Sequence, residues 1–365
     1  MSFSSRTVFA AAHVVADPDA DNAPGAPAVV DWDATLAFRH RLWSLGLGVA
    51  DAMDTAQRGM GLDWAATKEL IQRSGAEARS VGGAICCGVG TDQLPGAPDG
   101  SYSLAEIGDA YEGQLEVVEQ AGAQPVVMCS RVLAATARGA QDYAEVYERI
   151  LGQAERPVIL HWLGDMFDPA LRGYWGSLDL DAATDSVLSI INEHAAKIDG
   201  IKVSLLDADR EVALRRRLPA GVRLYTGDDF NFPELIAGDD QGFSHALLGI
   251  FDPLATQAAS ALELLDAGDV AGFRGVLDPL VPLARHIFAA PTQFYKTGVV
   301  FLAYLSGYQE HFRMVGGMEN GRDRAHLAKL YEMAVEVGIF PDADLAAARF
   351  KEFREIKEIR EYVRG

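Results

Sequence analysis

Gly200-Ile201-Lys202-Val203-Ser204 sets a lysine inside an apolar run, and the next apolar run, closing on Tyr225-Thr226, leads into Gly227-Asp228-Asp229. A short apolar run bounded by glycine and polar residues reads as a strand buried on both faces, the kind that helices cover in a parallel sheet. Lysine is seldom found in such a strand. There its ammonium is either paired at a cost, or its pKa falls toward that of a neutral amine. A neutral amine in a pocket is a nucleophile that condenses with a ketone or aldehyde to give a Schiff base.

Outward from this stretch, similar apolar runs fall at 8–15, 49–53, 84–89, 125–129, 158–162, 200–204, 222–226 and 243–250, each bounded by Gly, Pro, Asp or Asn. Between them, 34–45, 64–75, 104–121, 140–153, 181–197 and 207–217 carry helical spacing. Eight strands alternating with helices predict an α/β fold, a (β/α)8 TIM barrel over residues 1–252. A doubly wound sheet is the alternative, but it holds a pyrophosphate on a glycine-rich first turn. Here the first strand leads into Asp17-Pro18-Asp19-Ala20-Asp21, whose charge opposes one.

After residue 250 the strand signals stop. Helical patterns at 254–266, 270–288, 294–306, 325–338 and 344–363 predict a helical C-terminal extension over 253–365, packed on the barrel. In the last of these, Phe350, Phe353, Ile356, Ile359 and Val363 recur at helical spacing and are expected to dock as an amphipathic face. Polar residues follow the strands repeatedly, as Asp54-Thr55, Gly90-Thr91-Asp92, Ser130-Arg131, Gly164-Asp165 and Asp228-Asp229. Those positions are the loops at the carboxyl ends of the strands, where barrel enzymes build their active sites.

Composition narrows the function classes. Of 365 residues, 49% are hydrophobic, yet no window approaches the roughly 18 consecutive apolar residues of a membrane span. The opening run at 8–16 is broken by His13 and lacks a secretory pattern, so it reads as a first strand. A net charge of −20 repels phosphate backbones and anionic lipid, so neither nucleic acid nor membrane is an expected partner. Cys86, Cys87 and Cys129 make an odd set unsuited to disulfides or zinc, and are expected to be small buried residues in a cytoplasmic protein.

Taken in order, several fragments resemble the dihydrodipicolinate synthase and N-acetylneuraminate lyase superfamily of Schiff-base-forming barrel enzymes. Pro157-Val158-Ile159-Leu160-His161 is similar to the fifth strand of that family, Gly200 to Ser204 to its lysine-bearing sixth, and Tyr225-Thr226-Gly227-Asp228-Asp229 to its seventh. Asp31-Trp32-Asp33, Gly83-Ala84-Ile85, Gly88-Val89-Gly90, Ala267-Gly268-Asp269, Tyr295-Lys296, Leu305-Ser306-Gly307 and Arg313 also resemble family segments. The resemblance implies that Lys202 is the imine-forming lysine, with no cofactor beyond that covalent imine and no metal. It also implies a homodimer or homotetramer.

The chain departs from the family pattern at three places. The family usually has a tyrosine where His161 stands, as a proton shuttle. Its Gly-Thr-Thr-Gly-Glu turn reads Asp54-Thr55-Ala56-Gln57-Arg58, which keeps only Thr55, and an arginine expected after the tyrosine is replaced by Met166. His161 can move protons in place of a phenol, because imidazole titrates near neutrality. Asp165 is expected to orient His161, accept a substrate hydroxyl or cap a helix; Asp228 or Asp229 to hold the lysine's charge; and His245 to line the site. Lys296 and Arg313, in the helical tail, are expected to be structural.

The expected activity is that of a Schiff-base lyase, an aldolase or dehydratase acting on a small carbonyl substrate, with carboxylates suited to the hydroxyls of a sugar-derived compound. Two rivals stand beside it. One is a metal-dependent barrel isomerase, epimerase or aldolase using His161, Asp165, Asp228, Asp229 and His245 as ligands. The other is a barrel that binds ligands without catalysis.

Overall fold

Eight short parallel strands close into a ring: β1 Val8–Ala11, β2 Gly48–Asp51, β3 Ile85–Val89, β4 Gln124–Val127, β5 Val158–Leu163, β6 Ile198–Ser204, β7 Arg223–Thr226 and β8 His245–Leu248. A computed structural model of the chain describes residues 3–96 and 99–355. Each strand pairs with its neighbour in sequence, and β1 closes on β8 with Phe9 opposite Leu247. All eight strands read from the sequence are present, in order, and the (β/α)8 barrel stands.

The barrel helices are α1 Trp32–Ser44, α2 Trp64–Val81, α3 Leu104–Gln120, α4 Arg131–Thr136, α5 Ala140–Gln153, α6 Leu180–Glu193, α7 Ala208–Arg215 and α8 Phe232–Ala237. Their starts follow capping chemistry. Asp31 accepts from the Ala34 N–H, Asp63 from that of Ala66, and Ser103 with Glu106 forms a reciprocal box. Among the described residues, six further α-helices follow β8: α9 Ala255–Asp266, α10 Val270–Leu277, α11 Val281–Ile287, α12 Tyr295–Leu305, α13 Arg324–Glu336 and α14 Ala343–Glu355. The single helix expected at 270–288 is two, because Pro279 and Pro282 withhold N–H groups and force a tighter turn over Asp278–Leu280. On α14, Phe350 stacks on Tyr331 at 3.8 Å and Phe353 packs on Phe301 at 4.8 Å, while Ile356, Ile359 and Val363 lie outside the described residues.

Inside the ring, Phe9, Ala11, Ala50, Cys86, Val126, Ile159, Tyr225 and Leu247 form one apolar cluster, separate from the larger core between strands and helices. The floor is tied off by Tyr225, whose hydroxyl donates to Asp199 at 2.6 Å, and Arg223 pairs with the same carboxylate. The floor is thus filled and bolted, and barrel enzymes of this fold build their sites at the carboxyl ends of the strands.

Two buried charged or titratable side chains tie helices to the strands. Arg39 on α1 is fully buried and grips Asp51 at 2.8 and 3.0 Å, while a further bond reaches the Thr35 carbonyl. Glu211 on α7 accepts from Ser244 at 2.7 Å and Thr226 at 2.9 Å, and burial pushes its carboxyl up to about 8. Because this pKa is raised above its ordinary 4.5, the stability it contributes is complete below about pH 4.5 and is lost as pH rises through about 8.

Removing one partner of the buried pair strands the other. Asp51→Ala is therefore expected to cost about 3–5 kcal/mol in urea unfolding; a midpoint unchanged from wild type would contradict the role given to the pair. For Glu211, stability measured from pH 4.5 to 9 should decline in the wild type and decline less in Glu211→Gln; parallel curves would show that the carboxyl does not titrate in this window.

Candidate active site

Along β6 the residues alternate between wall and interior, and Lys202 falls on the interior side, two residues before the carboxyl end. Its aliphatic stem runs beside Gly227. A Cβ at Gly227 would sit 2.7 Å from the lysine Cε and collide with the Ser204 hydroxyl, so the glycine after β7 makes the room. The amine ends in a narrow cavity of about 10 Å³, room for about one water, walled by Asp54, Thr55, Ser204, Asp229, Phe167 and Tyr295, among others.

The turn after β2 brings two of these groups in. Ala52 takes a left-handed φ of 51°, a costly conformation for a residue with a Cβ, and Asp51 holds it by accepting from its N–H at 2.8 Å. The chain is thereby turned into the short helical turn Asp54–Ala56. Tyr295 comes from the other direction, at the start of α12. Its hydroxyl lies 2.8 Å from the Thr55 hydroxyl, and its ring stacks on Phe288 at 4.3 Å and meets the edge of Phe167. Gly249 after β8 clears space for this pair, because a Cβ there would lie 3.2 Å from the tyrosine ring and 3.3 Å from the Thr55 hydroxyl.

Burial shifts the balance at Lys202 toward the neutral amine. Lys202 is 7% exposed, and among the described residues it has no hydrogen bond or ion pair. Its pKa is lowered, first by burial, against the opposing pull of Asp54 and Asp229. Burial pushes Asp229 up to about 7, offset in part by the Ile250 N–H it accepts at 2.8 Å and by Lys202. Burial and the charge of Asp54 hold the Tyr295 phenol well above its ordinary range, so it is a proton donor and not an anion.

A second, larger cavity of about 230 Å³ shares Asp54 and Leu163 with the first. Its walls carry Arg131 paired with Asp168, and a Thr91 hydroxyl 2.7 Å from that of Ser130. Arg58, in the departed family turn, is spent on Asp92, Gln114 and two carbonyls, and so holds the wall together.

The residues expected from sequence divide. Lys202, Thr55 and Asp229 meet at the small cavity. Asp228 does not: its oxygens bind the Phe230 and Asn231 N–H groups and the Asn231 amide, closing the loop after β7. Asp165 is exposed and faces a separate cavity beyond β5. His245 is corrected outright, since it begins β8 at the floor, packed on Tyr225 and Phe243, with Nδ1 accepting from the Thr7 N–H. His161 is interior but fully buried behind Ser204, 3.2 Å from its hydroxyl, and burial followed by the Lys202 charge drives its pKa well below 6.5. It therefore does not titrate near neutrality as expected.

Among the described residues, no three His, Cys, Asp or Glu side chains converge as a metal-ligand group, so the five candidate ligands are scattered. The cysteines are free; Cys86 and Cys87 are fully buried, Cys129 donates to the His161 carbonyl, and burial raises all three thiols. Lys296 is buried, with Nζ 3.1 Å from the Gln293 carbonyl and 3.4 Å from the Met60 sulfur, and Arg313 reaches the Pro18 carbonyl. Sequence reading gave no role to Asp54 or Tyr295. The signal for Asp54 was its place directly after a strand; for Tyr295 it was only the family-like Tyr295-Lys296 fragment, which gives no contact because the approach of Tyr295 depends on how α12 docks.

Solved structures share this fold at low sequence identity. Dihydrodipicolinate synthase from Aquifex aeolicus aligns with a TM-score of 0.69 at 14% identity, over 92% of this chain and 99% of that one. The synthase from Thermotoga maritima gives 0.68 at 14% identity, over 92% and 100%. YagE, a prophage protein of the dihydrodipicolinic acid synthase family from E. coli K12 solved in complex with pyruvate, gives 0.69 at 16% identity, over 91% and 99%. The fold is thus that of the dihydrodipicolinate synthases, as the sequence resemblance implied. No curated protein matches the sequence. The model of the family described as protein of unknown function (DUF993) matches residues 1–359, and the chain belongs to that family.

Proposed function

We propose that the chain is a class I, Schiff-base-forming lyase acting on a small keto compound, with Lys202 as the nucleophile. The observation that carries this reading is an amine buried at the head of a barrel strand with no ion pair among the described residues, facing a cavity lined by proton-carrying groups. Desolvation lowers the amine's pKa and so increases the fraction that can attack a carbonyl. Addition to the carbonyl gives a carbinolamine, whose hydroxyl must leave as water. The Tyr295 phenol, joined to Thr55, is placed to supply that proton and to take one back from the carbon beside the imine.

His161 serves differently from the family tyrosine. It is neutral and bonded to Ser204, whose hydroxyl faces the cavity, so it orients that hydroxyl rather than meeting the substrate. The cavity at the amine, with room for about one water, admits no more than the carbonyl group itself. The rest of the substrate extends into the larger cavity, where Thr91, Ser130, Arg131 and Asp168 offer donors and acceptors to hydroxyl groups. A polyhydroxylated, sugar-derived keto compound fits that lining better than an apolar one.

Borohydride reduction in the presence of a panel of small ketones and 2-keto acids should leave one adduct, on the peptide carrying Lys202, and none in Lys202→Ala. An adduct elsewhere, or full turnover by Lys202→Ala, would contradict the assignment. Tyr295→Phe keeps the stacked ring and removes the proton. It should slow turnover by about 100-fold or more with substrate affinity little changed, whereas a loss confined to KM would make the tyrosine a binding group only.

A further inference from the structure

Among the described residues, the acids that line the two cavities at Lys202 are committed with one exception, and Asp165, also without a partner, is exposed at a separate cavity. Asp92 is held by Arg58, Asp168 by Arg131 and the Ala170 N–H, Asp228 by its own loop, Asp229 by the Ile250 N–H and Asp252 by His13. Asp54 has no hydrogen-bond or ion-pair partner on either carboxylate oxygen among the described residues. It is also the one ionisable residue that lines both the cavity at Lys202 and the larger one beside it. A half-buried carboxylate loses hydration without gaining a partner, and that is unfavourable unless something arrives to bind it.

The strained turn at Ala52 fixes this placement, because it directs Asp54 and Thr55 together toward the mouth. Asp54 is also the strongest charge felt by Lys202, Tyr295 and Lys296 alike, after burial itself. The carboxylate thus stands between the imine-forming amine and the space that holds the remainder of the substrate.

We infer that Asp54 is the general base for carbon–carbon cleavage, taking the proton from the hydroxyl two carbons from the imine carbon of a β-hydroxy keto substrate. The inference rests on the Schiff-base reading of Lys202. Lys202 adds to the keto carbon and water departs, leaving an iminium. Asp54 accepts the hydroxyl proton, the hydroxyl carbon becomes an aldehyde, and the broken bond's electron pair passes to the iminium to give an enamine. Protonation of the enamine carbon and addition of one water release the shorter ketone and restore the amine. The aldehyde leaves through the larger cavity, and no oxidant or reductant is needed.

The test uses pyruvate as the ketone probe and a series of 4-hydroxy-2-keto acids as cleavage probes, with wild type, Asp54→Asn and Asp54→Glu. Asp54→Asn is expected to retain the borohydride-trapped pyruvate adduct on Lys202 and to lose cleavage by about 100-fold or more. Asp54→Glu should recover part of the rate with a displaced acidic limb in its pH profile, which a merely structural role would not move. Cleavage by Asp54→Asn within a few-fold of wild type would overturn the role of Asp54. So would a wild type that traps pyruvate on Lys202 and cleaves none of the series, although the Schiff-base reading would survive. A wild type that traps no ketone would remove both.

Discussion

A primary amine taken out of water without a counter-ion is unfavourable in its charged form, and the interior of this barrel is arranged around that constraint. Lys202 could be satisfied by Asp54 or Asp229, yet neither comes within ion-pairing distance, and the charge of each only moderates the effect of burial. Asp229 is instead tied to the Ile250 N–H and is itself pushed toward neutrality. The amine thus holds its proton less firmly than usual and the carboxyl more firmly, which brings their proton affinities closer together.

Several distant features support that state. The floor beneath the amine is tied off by Tyr225, Asp199 and Arg223. Gly227 leaves the lysine stem its path, and Gly249 leaves space for the phenol. Arg39 and Asp51 hold the strained Ala52 turn that carries Asp54 and Thr55. The helices after β8 belong to the site as much as the strands do, since Tyr295 reaches Thr55 from α12, and Gln309 reaches His13, itself bonded to Asp252 after β8.

The fold was legible because parallel strands buried on both faces are short, apolar and sharply bounded, and each of the eight had that form. Lys202 stood out for the same reason, as a charge in such a run. Thr55 and Asp229 were legible as polar residues just past strand ends. The same rule misplaced His245, which lies at the start of its strand: the run at 243–250 was read longer than β8 proves to be, and which end a residue occupies decides whether it meets the mouth or the floor. His161 misled differently. Its strand face was right, but Ser204 stands in front of it, and no local pattern records what lies across a strand. Tyr295 and the vacant carboxylate of Asp54 depend on docking and on the absence of partners, neither of which a linear sequence displays.

The protonation state of one side chain decides the central claim. Titrating the lysine amines of the intact protein by carbon-13 NMR of labelled Cε, with Lys202→Arg to assign the resonance, measures it directly. A midpoint for Lys202 below the ordinary 10.5 is predicted, from burial outweighing its two acidic neighbours. A midpoint at or above that value would mean that the amine is a stable cation held by Asp54 and Asp229, and not a nucleophile.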